Sequence, residues 1–521
     1  MKTVKTIFIF AFLFSVVNFA FGQKSEKAFA GGEVLVKFKG GSDFSRLAGT
    51  NAFAGASLIE TLGDLSWVRI KLPEGMSVEK AITRYKNSGE VEAVQPNFYY
   101  HLLATPNDPQ FPSAGMYGLS KISAPAAWDL TTGSSAVVVA DIDTGLRYTH
   151  EDIAPNAWKN PGEIPNNGID DDGNGFVDDY YGYDFFYNTS DPLDQNGHGT
   201  HTAGTIGATG NNGIGVSGVN WNVKLMAIKI YSPTGTDTTS SMLVNAYNYV
   251  RLMKTRGINI RVTNNSYGDC GEACGYDQAT KDALDAMGNA GILNVFAAGN
   301  DNQNIDSFPY GTTPSPGYPA KYNSPSIIAV AASTSTDAKS SFSNYGVTSI
   351  DLAAPGSGVY STYNSSNSSY ATLSGTSMAT PHVAGSAALL SAYNPNLSVA
   401  SLKATLMNTV DPIAAYNGLI KTGGRLNVAR ALQNQTVCSF TLSNVLLRVP
   451  NKGGYFTVDV TAAPNCDYSV KSNTRWIYIS GSDVLSGSKT ITFWVNVNPT
   501  ITRTGTVTIG GVVFTVRQSR F

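Results

Sequence analysis

Along the first part of the chain the apolar positions change period several times. Glu33 to Phe38 and Ser66 to Lys71 alternate in steps of two, as strands with one buried face do. Between the later strands, Ser77 stands where an N-cap would. Val78, Ala81, Ile82 and Tyr85 then share one face of a helix predicted over 78–86. Val91 to Val94 predicts a further strand, running into an extended aromatic tail from Pro96 to His101. The pattern over 23–104 is that of a small α+β unit.

Over 105–433 the texture changes. Ala136–Ala140, Lys224–Ile230, Ile292–Ala297 and Ile327–Ala331 are apolar runs too continuous for half-exposed strands. Strands buried on both faces belong to a parallel sheet covered by helices, and helical segments over 243–254 and 278–288 supply that cover. The expectation is a doubly wound, mostly parallel α/β domain, with sites beyond the carboxyl ends of its strands. Over 436–521 the pattern is strand and turn throughout. Phe456–Val460, Thr490–Val497 and Thr506–Ile509 alternate, and Gly510-Gly511 joins the last to Val512–Val516 as a hairpin. A small β-sandwich fits this stretch.

Composition narrows the function classes. With 36 basic against 38 acidic residues and a net charge of -2, nothing points to nucleic acid as a partner. Lys2 and Lys5 precede an apolar stretch from Ile7 to Val17, and Ala20-Phe21-Gly22 places small residues around a cleavage point. Residues 1–22 therefore predict a secretory signal peptide. The run is too short for the ~20 residues that span a bilayer, so no membrane anchor is expected. Export places the four cysteines in an oxidising setting. Proximity favours Cys270 with Cys274 and Cys438 with Cys466, among three connectivities.

Three short signatures carry chemistry. Asp143 ends a predicted buried strand and is followed by Thr144-Gly145. His198 lies in Asn196-Gly-His-Gly-Thr-His-Thr-Ala-Gly204, a glycine-rich turn entering a helix. Ser377 lies in Ser374-Gly-Thr-Ser-Met-Ala-Thr-Pro-His-Val-Ala-Gly385, again a turn entering a helix. A serine hydroxyl needs a base to take its proton, imidazole can accept it, and a buried carboxylate fixes the productive tautomer. Asn300, after the strand 292–297, stands at the same sheet edge, where its amide can donate to a developing oxyanion. Asp141 shares a strand face with Asp143, but the following Thr-Gly favours Asp143. His150, His201 and His382 read as structural, since one base suffices.

These motifs, in the order Asp, His, Asn, Ser, resemble the subtilase family, most nearly its thermitase-like branch, from Asn107 to about Leu432. The resemblance implies a subtilisin-like fold and serine endopeptidase activity on protein or peptide substrates. It implies a substrate strand held along Ser266-Tyr267-Gly268, with Ala298, Gly299 and Gly317 around the P1 pocket. Gly317 leaves room for large apolar P1 residues, and Asp301 could admit a basic one. It also implies a cis Tyr318–Pro319 bond. Asp108, Asp152 and Asn212, with carbonyls near Thr209, Ile214 and Val216, match the family's calcium site. A second calcium loop is read from the residues themselves. Asp170, Asp172, Asn174, the Phe176 carbonyl and Asp178 are spaced like an EF-hand loop.

In this family the 23–104 unit corresponds to a ferredoxin-like propeptide, an intramolecular inhibitor and chaperone removed by self-cleavage between Tyr100 and Pro106. The 105–433 segment corresponds to the catalytic domain. Residues 436–521, through Trp476-Ile-Tyr-Ile479 and Phe514–Gln518, resemble BACON domains. Two readings attach to that module: a stabilising spacer and a glycan-contacting surface. The expectation is a monomeric, secreted or cell-surface endopeptidase. A catalytically silent subtilase-fold adhesin is the alternative.

Overall fold

The computed structural model describes residues 29–520 except 41–42, 51, 100–103, 112, 269–274, 313–314, 435–439, 463–466, 482–483, 500 and 511. The expected signal peptide, all four cysteines and most of the expected self-cleavage segment lie outside the described residues. The chain divides into two compact units, Met1–Leu102 and Leu103–Phe521.

In the first unit, strands β1 (Phe29–Phe38), β2 (Ser57–Leu62), β3 (Trp67–Lys71) and β4 (Val91–Phe98) form an antiparallel sheet in the order β2-β3-β1-β4. Helices α1 (Phe44–Leu47) and α2 (Val78–Asn87) complete the chain order β1-α1-β2-β3-α2-β4. The Ser77 hydroxyl caps α2 by accepting from the Lys80 N–H, as its position predicts. Val78, Ala81 and Tyr85 are buried against Val34, Val36, Ile70 and Phe53, with Tyr85 stacked on Phe53 at 4.4 Å. Strand β4 runs past Val94 to Phe98, so the first residues of the expected aromatic tail belong to the sheet.

The second unit is built on a nine-stranded sheet in the order β14-β15-β11-β10-β9-β8-β5-β7-β6. Its strands are β5 (Gly133–Asp143), β6 (Gly182–Asp184), β7 (Asn222–Lys229), β8 (Ile260–Asn265), β9 (Leu293–Ala297), β10 (Ile327–Ser333), β11 (Leu352–Pro355), β14 (Asp411–Pro412) and β15 (Gly424–Arg425). All neighbours are parallel except β14 against β15. The hairpin of β12 (Val359–Tyr363) and β13 (Ser369–Leu373) stands apart from it. The helices are α3 (Tyr117–Lys121), α4 (Ala124–Trp128), α5 (His198–Gly207), α6 (Ser240–Thr255), α7 (Gln278–Asn289), α8 (Thr376–Tyr393), α9 (Val399–Asn408) and α10 (Val428–Gln433).

Two separate cores, one containing Val139, Val262 and Ala384 and the other Ala140, Ile228 and Phe296, show why the central strands read as continuous apolar runs. Helix α8 is buried almost all round, and its Ala, Gly and Ser residues permit that close packing. None of the described helices is long and apolar enough to cross a membrane.

The C-terminal strands form two sheets around Val458, Phe493, Val507 and Phe514. One orders β16 (Phe440–Leu442), β18 (Gly454–Ala462), β22 (Lys489–Val495) and β20 (Ile477–Ser480) as β16-β18-β22-β20. The other orders β17 (Leu446–Val449), β24 (Val512–Gln518), β23 (Arg503–Ile509), β19 (Asp467–Ser472) and β21 (Val484–Ser486) as β17-β24-β23-β19-β21. This is the expected β-sandwich.

Candidate active site

Strand β5 delivers Asp143 to the carboxyl edge of the sheet, 1% exposed. Its Oδ1 lies 2.7 Å from His198 Nδ1 and accepts the Thr144 N–H at 2.7 Å. His198 opens α5, and the close approach needs Gly199, where a Cβ would sit 2.2 Å from the Gly145 carbonyl. Burial works to lower the His198 pKa. The charge and hydrogen bond of Asp143, with Asp141 and Asp194 beyond, outweigh it and hold the ring above its ordinary value.

Ser377 is the second residue of α8, so its N–H has no helical partner and faces outward at the helix start. Pro381 has no N–H and leaves the Ser377 carbonyl free, and Ser266 Oγ donates to it at 2.9 Å. Ser377 Oγ in turn donates to the Ser266 carbonyl at 2.9 Å. Asn300 spends its amide oxygen on the Thr376 N–H (2.8 Å) and hydroxyl (3.0 Å), leaving Nδ2 for the cleft.

Asp143, His198, Ser377 and Asn300 line one cleft of about 410 Å³ with Ser266, Tyr267, Gly268, Gly299 and Asp301. Its opposite edge is Tyr231, Thr234 and Gly235, a segment sequence reasoning missed. The turn Ser232-Pro-Thr-Gly235 after a buried strand was its only signal. A neighbouring cavity of about 610 Å³ shares Tyr231 and Tyr267 and adds Tyr276, Tyr318 and Tyr322. Two expected pocket residues, Ala298 and Gly317, are not among those lining this cleft: Ala298 is fully buried, and Gly317 packs with the Ile305 side chain 2.8 Å from where a Cβ would sit. The Tyr318–Pro319 bond is cis.

Asp194 is a second omission. Its buried carboxylate accepts from Thr144 Oγ1 (2.9 Å), the Asn196 and Gly197 N–H groups (2.9 Å each) and Thr200 Oγ1 (2.6 Å), fixing the turn that presents His198. The other described histidines are tied to carbonyls: His201 to Val359 (3.0 Å), His382 to Met378 (2.9 Å) and His150 to Ser369 (2.8 Å).

Asp108 and Asp152 are 1% and 0% exposed and meet the 209–216 loop. Asp108 accepts from the Asn211 and Asn212 N–H groups at 2.7 and 3.1 Å. Asp152 accepts from Asn212 Nδ2, the Val216 N–H and Tyr370 Oη, each at 2.9 Å. Among the described residues no Lys, Arg or His pairs with either carboxylate. Burial pushes Asp152 up to about 6. The Thr209 hydroxyl is buried without a partner. Two buried carboxylates beside an orphaned oxygen fit a hard cation with oxygen ligands.

The 160–180 insertion departs from the expected EF-hand register. Asp170 closes on the Asn174 and Gly175 N–H groups (2.9 and 2.8 Å), and Asp178 on those of Asn167 and Gly168 (3.0 and 2.8 Å). Phe176 gives its N–H to Asn174 Oδ1 at 2.7 Å and packs its ring on Tyr183 and Tyr249. The carboxylates brought together are Glu163, Asp172 and Asp179, with oxygens within 4.8 Å of one another. Glu163 Oε2 is buried without a partner. Burial pushes Asp179 up to about 6, and Asn160, Asn174 and Tyr249 bond to it. Asp172 and Asp179 belong to the acidic run 170–179, and Glu163 joins them from upstream of it.

Comparison with known proteins gives the same direction as the geometry. The chain is 38% identical over 329 residues to thermitase of Thermoactinomyces vulgaris, covering 63% of this chain and 99% of that protein. It is 32% identical over 406 residues to a thermophilic serine proteinase of Bacillus sp. (strain AK1), covering 78% and 88%. It is 35% identical over 302 residues to subtilisin Savinase of Lederbergia lenta, covering 58% and 93%. Residues 15–97 match the fervidolysin N-terminal prodomain, and residues 134–440 match the subtilase family. The chain is a member of the subtilase family, a serine endopeptidase with an N-terminal prodomain.

Proposed function

We propose that this endopeptidase is exported, stabilised by calcium and made as a self-processed zymogen, with Ser377 as nucleophile, His198 as general base, Asp143 as its orienting carboxylate and Asn300 as an oxyanion donor. The observation that carries the assignment is the 2.7 Å His198–Asp143 pair opening onto the same cleft as Ser377 and Asn300.

Rotation of the Ser377 side chain away from the Ser266 carbonyl turns its hydroxyl to His198 Nε2, which takes the proton as Oγ attacks the scissile carbonyl. The oxyanion that forms lies between the Ser377 N–H and Asn300 Nδ2. His198 returns the proton to the leaving amine, and water repeats the sequence to release the acyl group. Asp143 remains ionised and holds Nδ1–H. The substrate backbone runs as a strand between 231–235 and 266–268, and the tyrosine-lined cavity beside it favours large apolar side chains. Profiling a peptide library tests this preference. Uniform failure to cut after Phe, Tyr, Leu or Met rules it out.

Asp108, Asp152, Asn212 and the carbonyls of Thr209, Ile214 and Val216 would hold one calcium ion, and Glu163, Asp172 and Asp179 a second. A bound ion supplies charge compensation that lets these loops pack. The chain order and sheet order of the first unit fit a ferredoxin-like inhibitor and chaperone. The β-sandwich presents Tyr455, Trp494 and Tyr478 side by side on β18, β22 and β20, the surface at which glycan contact is to be tested.

A further inference from the structure

We propose that Asp141 is a positioning residue for the hydrolytic reaction: a neutral carboxylic acid beneath Asp143 whose hydroxyl donates to Thr202 and whose other oxygen accepts from Asn264. The charge of this strand face then resides on Asp143 alone, and the Asn264–Ser266 segment is held against the Ser377 turn. The proposal rests on Asp143 being the orienting carboxylate.

Asp141 and Asp143 are two apart on β5 and so point to one face of the sheet. They are 2% and 1% exposed. Two like charges this close in a buried site cannot both ionise cheaply, so one keeps a proton unless a cation intervenes. None does. On the neighbouring β7, Lys229 stands opposite Asp143 in register but is paired with Asp184 at 3.0 Å. On β8 the residue opposite Asp141 is the neutral Asn264. On α5, His198 gives its Nδ1–H to Asp143, and His201 is held between two carbonyls with its pKa lowered to about 4 by burial. On α8, His382 is likewise buried and lowered to about 4.

The hydrogen-bond inventory says which carboxyl group holds the proton. Asp143 Oδ1 faces two donors, the His198 ring and the Thr144 N–H, and its Oδ2 is buried with no acceptor to which a carboxyl proton could be given. Asp141 Oδ1 accepts from Asn264 Nδ2 at 2.8 Å, while its Oδ2 lies 3.1 Å from Thr202 Oγ1. That hydroxyl has one proton, and it lies 3.0 Å from the Gly199 carbonyl, which can only accept. A proton on Asp141 Oδ2 lets Thr202 Oγ1 accept from Asp141 and donate to the Gly199 carbonyl, while Asn264 Oδ1 stays buried without a partner in either state. An ionised Asp141 leaves either the Gly199 or the Asp141 contact without a proton. Burial and the Asp143 charge both push the Asp141 carboxyl upward, in the same sense.

The network continues to the nucleophile. The second Asn264 Nδ2 proton goes to Ser266 Oγ at 3.0 Å, Ser266 Oγ donates to the Ser377 carbonyl, and Ser377 Oγ donates to the Ser266 carbonyl. Asp141 thus sets the register of β8 with the turn that carries the nucleophile.

The test uses the mature calcium-loaded protease with Asp141→Asn and Asp141→Ala. Asn reproduces the neutral acid's pattern, oxygen toward Asn264 and N–H toward Thr202. Asp141→Ala is expected to lower kcat roughly tenfold to a hundredfold with little change in KM, and Asp141→Asn to restore most of it. The acid limb of kcat/KM for Asp141→Asn stays where the parent's lies, because no charge has been removed. A limb displaced to lower pH means that Asp141 was ionised and overturns the proposal.

Infrared spectroscopy at mildly alkaline pH reads the proton directly. The parent shows a carboxylic acid C=O band that Asp141→Asn lacks, and no such band in the parent overturns the proposal. Should Asp141→Asn fail to fold, Thr202→Val removes the acceptor and shifts the band upward; an unmoved band has the same consequence. Ser377→Ala keeps the band without activity. If Ser377→Ala or Asp143→Asn stays fully active, the triad assignment fails instead, whatever the band does.

Discussion

Asn300 turns its amide oxygen onto the Thr376 N–H at 2.8 Å, one residue before Ser377, so its Nδ2 is the group left for the cleft. The oxyanion donor is thereby anchored to the turn that carries the nucleophile. Asn300→Ala should lower kcat by about 10²–10³ with KM nearly unchanged, because the bond is made to charge that develops after binding. Steady-state kinetics on a peptide amide checks it. An equal loss in binding and no loss in kcat would show that Asn300 only shapes the pocket.

The pH dependence follows from the His198 pKa. The base must be neutral to accept the serine proton, and its pKa lies above the ordinary 6.5 despite burial, owing to Asp143. Activity should therefore rise with pH along an acid limb centred above that value. Asp143→Asn removes the raising influence, so the limb should move to lower pH. The same change should cost about 10⁴ in kcat through loss of the productive tautomer. A pH profile of kcat/KM for both proteins reads both effects.

Calcium should be visible in stability and in mass. An ion that binds only the folded state at 100 times its Kd contributes about 2.7 kcal/mol, so EGTA should lower Tm and calcium should restore it. Native mass spectrometry separates the sites: Asp152→Asn should lose one ion and Glu163→Gln the other. Asp178→Asn should keep both, because its carboxylate lies outside the Glu163, Asp172 and Asp179 group. Loss of an ion in Asp178→Asn would restore the EF-hand register read from sequence.

Processing gives a fourth outcome. Ser377→Ala should accumulate with residues 23–104 attached, while the active chain should begin near Thr105 by N-terminal sequencing. A full-length chain that is already active would remove the zymogen from the account.

The elements with strong local patterns were legible from sequence: the Ser77-capped helix, the apolar strands β5, β7, β9 and β10, and the hairpin of β23 and β24. Strand β8 was not, although it is central, because it reads Ile-Arg-Val-Thr-Asn-Asn. Its polar side chains are paid for by lateral bonds, Thr263 to Asn294 (2.9 Å), Asn264 to Asp141 (2.8 Å) and Asn265 to the Val295 carbonyl (3.2 Å), which no periodicity reveals. The same holds at the acidic insertion. Local spacing pointed to Asp170, Asp172, Asn174 and Asp178, while the carboxylates brought together are Asp172, Asp179 from the end of the same run and Glu163 from upstream of it. The motif residues around Ser377, His198 and Asp143 were readable because tight glycine turns at strand ends and helix starts write themselves into contiguous sequence. Asp194 acts through tertiary contacts and left no such mark, and Asp141 showed only as a neighbour of Asp143 on one strand face.

The central claim is that Ser377 is the nucleophile served by His198. Its most direct test is intact and peptide-level mass spectrometry of the calcium-loaded mature protein after treatment with a fluorophosphonate. The account predicts one adduct per chain, on Ser377, lost in His198→Ala and accompanied by complete inactivation. An adduct on another residue, or hydrolysis that continues with Ser377 fully labelled, would contradict it.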